Sequence, residues 1–435
     1  MAHYLQVRYK YGLALTIASC WAGGSIWLST PWLSDLATHT GLPLAFFFIS
    51  FIAIIPGFIN SFVVSSLLLD RRPVLKPIES FPEVTVLVPA YNEAAGIRDT
   101  LVSLMNQSYD ATISVIVIND GSSDDTASVI RELQDEYSNI RLLDLPVNGG
   151  KSQALNHGLA LCETELVISV DADSWVKRDG IRNIVSRYLS DPSTTRAVAG
   201  TILIRNSRES WITKAQEWDY FLGIGAIKRI QSLYQGTLVA QGAFSLYDAA
   251  TLRSLGGWPN TVGEDIVLTW KILLAGHRVG HAENACCFTT APATVRQFVR
   301  QRQRWSRGLI EAFKANPGLL VKPRLTVLYI WWNMLFPLMD VAYTFGFLPG
   351  IVLALFGKFW IVGPMTLALI PPSLLLNRVM YNAGKRMFDT EELVVRKNRG
   401  GILLYMLLYG VILQPACVWG YLSELLNLKK SWGTK

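Results

Sequence analysis

Four short acidic clusters punctuate the middle of this chain: Pro89-Ala90-Tyr91-Asn92-Glu93, Asn119-Asp120-Gly121-Ser122-Ser123-Asp124, Val170-Asp171-Ala172-Asp173 and Gly263-Glu264-Asp265. The first three begin where a short apolar run ends. Carboxylates so placed suit the transfer of a glycosyl group away from a nucleoside diphosphate. The leaving diphosphate needs a divalent cation held by carboxylates with room left for phosphate oxygens, and the acceptor hydroxyl needs a general base within hydrogen-bond reach. Base and cation must face opposite sides of the reacting carbon. Each cluster also has a plainer reading. Asp, Gly and Ser around position 121 favour a turn, and the acids at 264–265 could simply cap a helix. Two carboxylates at i and i+2 repel unless a cation lies between them or one faces water. After a buried strand and two earlier acidic loops, metal binding is the better reading of Asp171-x-Asp173.

The basic complement comes from Lys151 and from Arg302 or Arg304. Gly150-Lys151-Ser152 is not a P-loop, because the position where that motif needs its first glycine is Leu145. No G-x-G-x-x-G follows the first strand, which disfavours the usual dinucleotide fold. His277 and His281 lack the Glu between them that a zinc helix requires.

These clusters need a scaffold. Runs rich in β-branched residues at 84–89, 113–118, 141–145 and 166–170 alternate with helical stretches. That spacing predicts an α/β domain with a parallel-rich sheet, whose function sits in the loops after the carboxyl ends of the strands.

The ends of the chain are different. Hydrophobic residues make up 51% of the 435 and charged residues 17%, below the roughly 25% charged of average soluble proteins, and the mean hydropathy is +0.29. Uncharged runs at 11–29 and 42–69 can each cross a hydrocarbon core, which takes about 20 residues. Further apolar runs cover 325–357, 359–376 and 402–422. They give five spans, or an even number if the run from 325, which contains Pro337, Asp340 and Pro349, folds as a hairpin. Residues 294–316 place Val295, Phe298, Val299, Trp305, Leu309, Ile310 and Phe313 near one helical stripe among five arginines, the pattern of an amphipathic surface helix. The expected organisation is two N-terminal transmembrane helices in 1–79, a cytoplasmic α/β domain in 80–293, an interfacial helix region in 294–324 and a C-terminal membrane region of about three helices in 325–435.

The formal charge of +7 follows the flanks of these runs: Arg8 and Lys10, then Arg71, Arg72 and Lys76, then Arg378, Lys385, Arg386, Arg396, Lys397 and Arg399. This is the distribution of cytoplasmic membrane flanks rather than of a nucleic-acid binder. Five spans would leave Lys429, Lys430 and Lys435 outside, against that rule. Cys20, Cys162, Cys286, Cys287 and Cys417 form neither a C-x-x-C pair nor a zinc spacing, so no structural disulfide is expected.

The order Asp120, Asp171-x-Asp173, Asp265 and Gln301-Arg302-Gln303-Arg304-Trp305, with membrane spans on both sides, resembles the D, D-x-D, D, Q-(Q/R)-x-R-W series of processive family-2 glycosyltransferases. That family includes the cellulose, chitin and hyaluronan synthases. The chain looks most like its poly-β-1,6-N-acetylglucosamine synthases, through its size, its two leading spans, residues 223–234, Trp270-Lys271 and the ending Lys429-Lys430-Ser431-Trp432.

The resemblance implies a GT-A nucleotide-diphospho-sugar transferase domain. Ala90, Tyr91, Glu93, Asp120, Lys151, Asp171 and Arg304 would bind the UDP-sugar. Asp173, with Asp171, would hold Mg²⁺ or Mn²⁺. Asp265 would be the base. Gln241, Glu264, Gln301 and Trp305 would meet the acceptor. It further implies inverting, processive transfer from UDP-GlcNAc to a growing chain, exported across a bacterial inner membrane, with the lipid bilayer and a small accessory membrane subunit as partners and no nucleic acid. Hyaluronan, chitin-oligomer or glucan synthesis are the alternatives within the family, and an inactive transporter or scaffold is the alternative outside it. The chain departs from the pattern at Gly263, where many relatives carry Thr, and at Gln241-Gly242-Ala243-Phe244, where cellulose synthases carry a Cys-Gly version.

Overall fold

The computed structural model describes residues 5–71, 75–394 and 397–429. Arg72, Arg396, Lys430, Ser431, Trp432 and Lys435 lie outside the described residues. Eight strands form one mixed sheet: β1 (Val84–Ala90), β2 (Ile113–Asp120), β3 (Ile140–Leu145), β4 (Leu166–Val170), β5 (Ser174–Val176), β6 (Thr195–Ile204), β7 (Phe244–Asp248) and β8 (Arg278–Thr289), in the order β3-β2-β1-β4-β7-β6-β8-β5. Strands β3, β2, β1 and β4 run parallel, as the alternation of strands and helices predicts. Strand β7 is antiparallel to both its neighbours, and β6 and β8 are parallel to each other.

Alternation sends successive side chains to opposite faces, so β1 serves two cores at once. Val84, Val86 and Val88 pack with Ile97, Leu101 and Leu104 on one face. Leu87 joins Ile116, Ile118 and Leu155 on the other, in a core that continues through Trp270 to Phe62 and Tyr329 in the apolar helices. The sheet is thus joined to those helices by continuous packing.

Four helices are long and apolar enough to cross a membrane among the described residues: Val7–Thr40, Leu42–Leu69, Val327–Leu355 and Arg399–Leu425. Residues 325–357 do not fold as a hairpin, because Val327–Leu355 is helical throughout, with a π turn at Tyr343–Phe347 just before Pro349. A proline removes one rung of the hydrogen-bond ladder, and a wide turn beside it accommodates that loss. The run 359–376 does not form a helix of spanning length. Bends precede the short helix Pro364–Leu367, and the following helix, Ile370–Thr390, starts at Pro371-Pro372 and carries Arg378, Lys385 and Arg386. Gly363 and the proline pair cut the apolar run before one continuous helix can form.

Polar bonds tie these helices to the sheet. Arg229 bridges Asp70, at the end of the second apolar helix, to Glu283 in β8. The Tyr234 hydroxyl donates to Ser66 Oγ at 3.1 Å, and Lys10 Nζ donates to the Arg71 carbonyl at 3.1 Å.

Candidate active site

The carboxyl ends of β1, β2 and β4 lie side by side in the sheet, and their loops are stitched together. The loop after β1 turns through Asn92 at a φ of 54°. Its amides donate into the loop after β2: Asn92 to Ser122 Oγ at 2.9 Å, Glu93 to Thr126 Oγ1 at 2.9 Å and Ala94 to Asp124 Oδ2 at 3.2 Å. Ala90 is buried at the strand end, while Tyr91 stands at the rim, 49% exposed. An aromatic face left open at a strand end is available to stack on a flat ring.

Asp120 closes β2 and is buried. Its Oδ1 accepts from the Gly149 amide and its Oδ2 from the Gly150 amide, each at 2.8 Å. Gly150 reaches that position with a φ of 88°, in the left-handed region that favours glycine. Both oxygens of Asp120 therefore fix the start of the Lys151–Ala160 helix, and with it Lys151.

Lys151 is the electrostatic centre of the cluster. Its ammonium pairs with Asp171 Oδ1 and lies 3.4 Å from Glu264 Oε1. Burial acts to lower the lysine pKa, but Asp171, Glu264 and Asp265 together hold it above its ordinary value. Gly242 lies directly against it, where a Cβ would overlap the ammonium. Glu264 is 5% exposed, and burial pushes its carboxyl up to about 7, with Lys151 opposing and Asp265 adding to the rise.

The Asp171-Ala172-Asp173 turn is pinned by Thr100, whose hydroxyl donates to the Ala172 carbonyl at 2.7 Å. Asp171 points to Lys151. Asp173 accepts from Thr289 Oγ1 at 3.3 Å, and burial, then Asp171 and Glu93, push its carboxyl up to about 6. No group of three or more His, Cys, Asp or Glu side chains is gathered to hold an ion among the described residues. Two half-buried carboxylates that repel each other nevertheless fit an ion that takes its remaining ligands from phosphate oxygens and water, as Mg²⁺ commonly does.

Asp265 occupies the first turn of the Glu264–Leu274 helix, and its Oδ1 accepts from the Ile266 amide at 2.7 Å. Behind it, buried Lys228 donates to the Val239 carbonyl, and burial pulls its ammonium down to about 7 against the pull of Asp265. The Val295–Ala315 helix crosses above with a capping box at Thr294 and Gln297. It touches the Glu264 helix backbone to backbone: a Cβ on Gly263 would come within 2.5 Å of Gly308 Cα. The departure from Thr at position 263 thus has a steric reason. The Gly263 amide also donates to Glu311 Oε2 at 2.9 Å.

Arg302 and Arg304 have different surroundings, though the Nε of each is without a hydrogen-bond partner. Arg302 Nη2 donates to Asp219 Oδ2 at 3.1 Å and to the Tyr409 hydroxyl at 2.7 Å, and its guanidinium sits 4.1 Å from the centre of the Trp305 ring. It is a buried strut. Arg304 lies close enough to Glu264 to act on its titration, and its Nε has no hydrogen-bond partner. Gln301 is buried with Oε1 unpartnered, and Trp305 remains 40% exposed with one face covered by Arg302. Gln241, one residue before the glycine that lies against Lys151, donates from Nε2 to the Gly200 carbonyl at 3.0 Å. Lys228, Gly308, Asp219 and Tyr220 escaped sequence reasoning, and Gly242 was noticed only within a departing motif. Only the glycines left a signal, as small residues at motif edges.

A mixed sheet with acidic strand-end loops under a crossing helix is the GT-A architecture. The chain superposes on a mannosyltransferase from Pyrobaculum calidifontis, described in complex with GDP-Man and Mn²⁺, with a TM-score of 0.56 over 92% of this chain and 99% of that one, at 19% identity. Residues 85–256 match the model of glycosyl transferase family 2, and the chain carries a domain of that family. The poly-β-1,6-N-acetyl-D-glucosamine synthase of Staphylococcus epidermidis is 33% identical over 248 residues, 57% of this chain and 59% of the relative. The synthase of the same name from Staphylococcus aureus strain COL is 32% identical over 263 residues, 60% of this chain and 63% of that one. The matched region thus spans less than two thirds of either relative.

Proposed function

We propose that this protein transfers N-acetylglucosamine from UDP-GlcNAc to a growing β-1,6-linked polysaccharide, with inversion, processively, and with passage of the product across a bacterial inner membrane. One observation carries this reading: Lys151, Asp171, Glu264 and Asp265 form a single charge cluster beside Asp173 and beneath the Trp305 helix. The names of the relatives support the choice of sugar. Tyr91, with Ala90 and Glu93, would receive the uridine, Lys151 and Arg304 the diphosphate, and Trp305 with Gln301 the acceptor end. Asp120 would serve by holding the loop that presents Lys151. Asp265 would take the proton of the acceptor hydroxyl as it attacks the anomeric carbon, a single displacement needing no second nucleophile. A divalent cation at Asp173, with Asp171, would neutralise charge on the departing diphosphate.

Four spans, two on each side of the sheet domain, would leave that domain and the outer flanks of the first and last spans on one side of the bilayer. Lys10, Arg71 and Lys429 would then share the cytoplasmic side. Protein purified in membranes and given UDP-GlcNAc, UDP-glucose or UDP-glucuronate with Mg²⁺ or Mn²⁺ should form polymer from UDP-GlcNAc alone. Polymer from UDP-glucose alone would make it a glucan synthase. A requirement for both UDP-GlcNAc and UDP-glucuronate would indicate hyaluronan, and no product from any donor would remove the transferase reading.

Asp173 supplies a pH prediction. Its folded-state pKa is raised to about 6 from about 3.8 in the unfolded chain, so without a cation its contribution to stability is present below about 3.8 and lost as pH rises through about 6. A cation needs the ionised form, so the sign for binding is opposite. Cation-dependent UDP affinity should fall as pH drops through about 6, and Asp173→Ala should abolish that dependence. Titrations of UDP with and without Mg²⁺ at pH 5 and pH 7.5 measure it, and equal affinities in the two proteins would refute the assignment.

A further inference from the structure

Tyr220 lies between two parts of the site that no motif connects. It sits on a π turn, Asp219–Ile224, inserted between the helices Trp211–Trp218 and Gly225–Leu233. Such turns insert an extra residue into a helix and re-aim the side chains they carry. This one is anchored by the preceding residue: Asp219 Oδ2 accepts from Arg302 at 3.1 Å and from the Tyr409 hydroxyl at 2.7 Å. The Tyr220 ring is 6% exposed, and its centre is 6.4 Å from that of Trp305, with 49° between the planes. Asp173, Arg302 and Arg304 all lie near enough to influence its hydroxyl.

A buried tyrosine ring ordinarily finds a partner for its hydroxyl. Among the described residues no hydrogen bond engages this one, and the oxygen is not sealed from solvent. Burial pushes the phenol up to about 12, with Arg302 opposing, so it stays protonated and able to donate across the working pH range. One face of Trp305 is already covered by Arg302. A pyranose stacking on the rest of that ring would bring its hydroxyls towards Tyr220, in the corner formed by the two tilted aromatic planes.

We infer that Tyr220 is a positioning residue for the acceptor, its hydroxyl hydrogen-bonding the terminal sugar that stacks on Trp305. The ligand class is a neutral pyranose with free hydroxyl groups at the end of a growing chain. This rests on the transferase reading above. The charged cluster around Lys151 handles the diphosphate. Tyr220 handles only the sugar, so its removal separates acceptor binding from donor binding.

Tyr220→Phe keeps the ring and its packing and removes one oxygen. In membranes supplied with UDP-GlcNAc and a short β-1,6-linked N-acetylglucosamine oligomer, the variant should show an acceptor KM raised about tenfold, the scale of one lost hydrogen bond to a ligand. Its UDP affinity should match that of the unsubstituted protein. An unchanged acceptor KM overturns the assignment. So does a parallel loss of UDP affinity, which would mark Tyr220 as a donor or structural residue. The unsubstituted protein in the same assay separates the two levels of the argument: no product from it overturns the transferase reading itself, whereas normal product from it beside normal kinetics in Tyr220→Phe overturns the Tyr220 assignment alone.

Discussion

Replacing Asp265 with Asn is expected to abolish polymer formation while leaving UDP bound. The substitution is nearly isosteric, and an amide oxygen can still accept from the Ile266 amide, as the carboxylate does at 2.7 Å. The first turn of the helix therefore keeps its shape. What disappears is the capacity to take a proton, and a positioned general base contributes about 10²–10⁴ in rate. Polymer synthesis should fall by about a hundred- to ten-thousandfold on that scale, with UDP affinity unchanged in a direct titration. Turnover within tenfold of the unsubstituted protein would move the base elsewhere, with Glu264, its carboxyl already pushed up to about 7, as the next carboxylate to test.

Lys151→Met is expected to be the most damaging change to the site as a structure. Asp171 and Glu264 both lean on this one ammonium, and Glu264 has almost no access to water. Removing one member of a buried charge cluster leaves the others uncompensated, which costs about 3–5 kcal/mol. The lower end applies here, because Asp171 retains about a third of its side-chain exposure and Glu264 can escape by protonation. Stability should fall by about 3 kcal/mol at pH 7.5 and recover partly on acidification, as Glu264 takes up a proton. UDP affinity should drop at least about tenfold with the loss of a diphosphate partner. A melting transition measured at pH 7.5 and pH 6 follows the first effect and a nucleotide titration the second. A variant as stable as its parent at both pH values would show that the two acids do not depend on Lys151.

Much of this site was legible in the sequence, because its chemistry is carried by acids at the ends of β-branched runs. The strands at 84–89, 113–118 and 166–170 were readable as continuous apolar segments of the kind that parallel sheets bury on both faces, whereas the edge strand at 141–145, with Arg141 and Asp144, was placed by its spacing. The other half of the sheet was not. Strand β5 has three residues, β6 contains Gly200, and β8 mixes His281, Glu283 and Asn284 with small apolar residues, so none shows a clean period of two. The expectation of a span at 359–376 failed for a comparable reason: its hydropathy was sufficient, but Gly363 and Pro371-Pro372 interrupt helix propagation. Within the site, motif order picked out Asp173, Asp265 and Trp305. It could not pick out Tyr220, whose role depends on a π turn, nor decide between Arg302 and Arg304, which differ only in what surrounds them.

The approach of Gly263 to Gly308 gives the site a fixed gauge. A gap between two helices that is filled by side chains can be adjusted by rotating a side chain. Here a Cβ on either glycine would lie within 2.5 or 2.8 Å of the other's Cα, and nothing is left to rotate. The helix that bears Asp265 and the helix that bears Trp305 are therefore spaced like the arms of a locked caliper. If those two residues have the roles proposed here, the spacing dictates which hydroxyl of a sugar resting on Trp305 comes within reach of the base. The position of the glycosidic bond would then be set by a distance between two backbones rather than by any side chain that names the sugar. Advance of the product after each addition would have to come from the polymer sliding over the aromatic face, since the arms themselves have no slack to give.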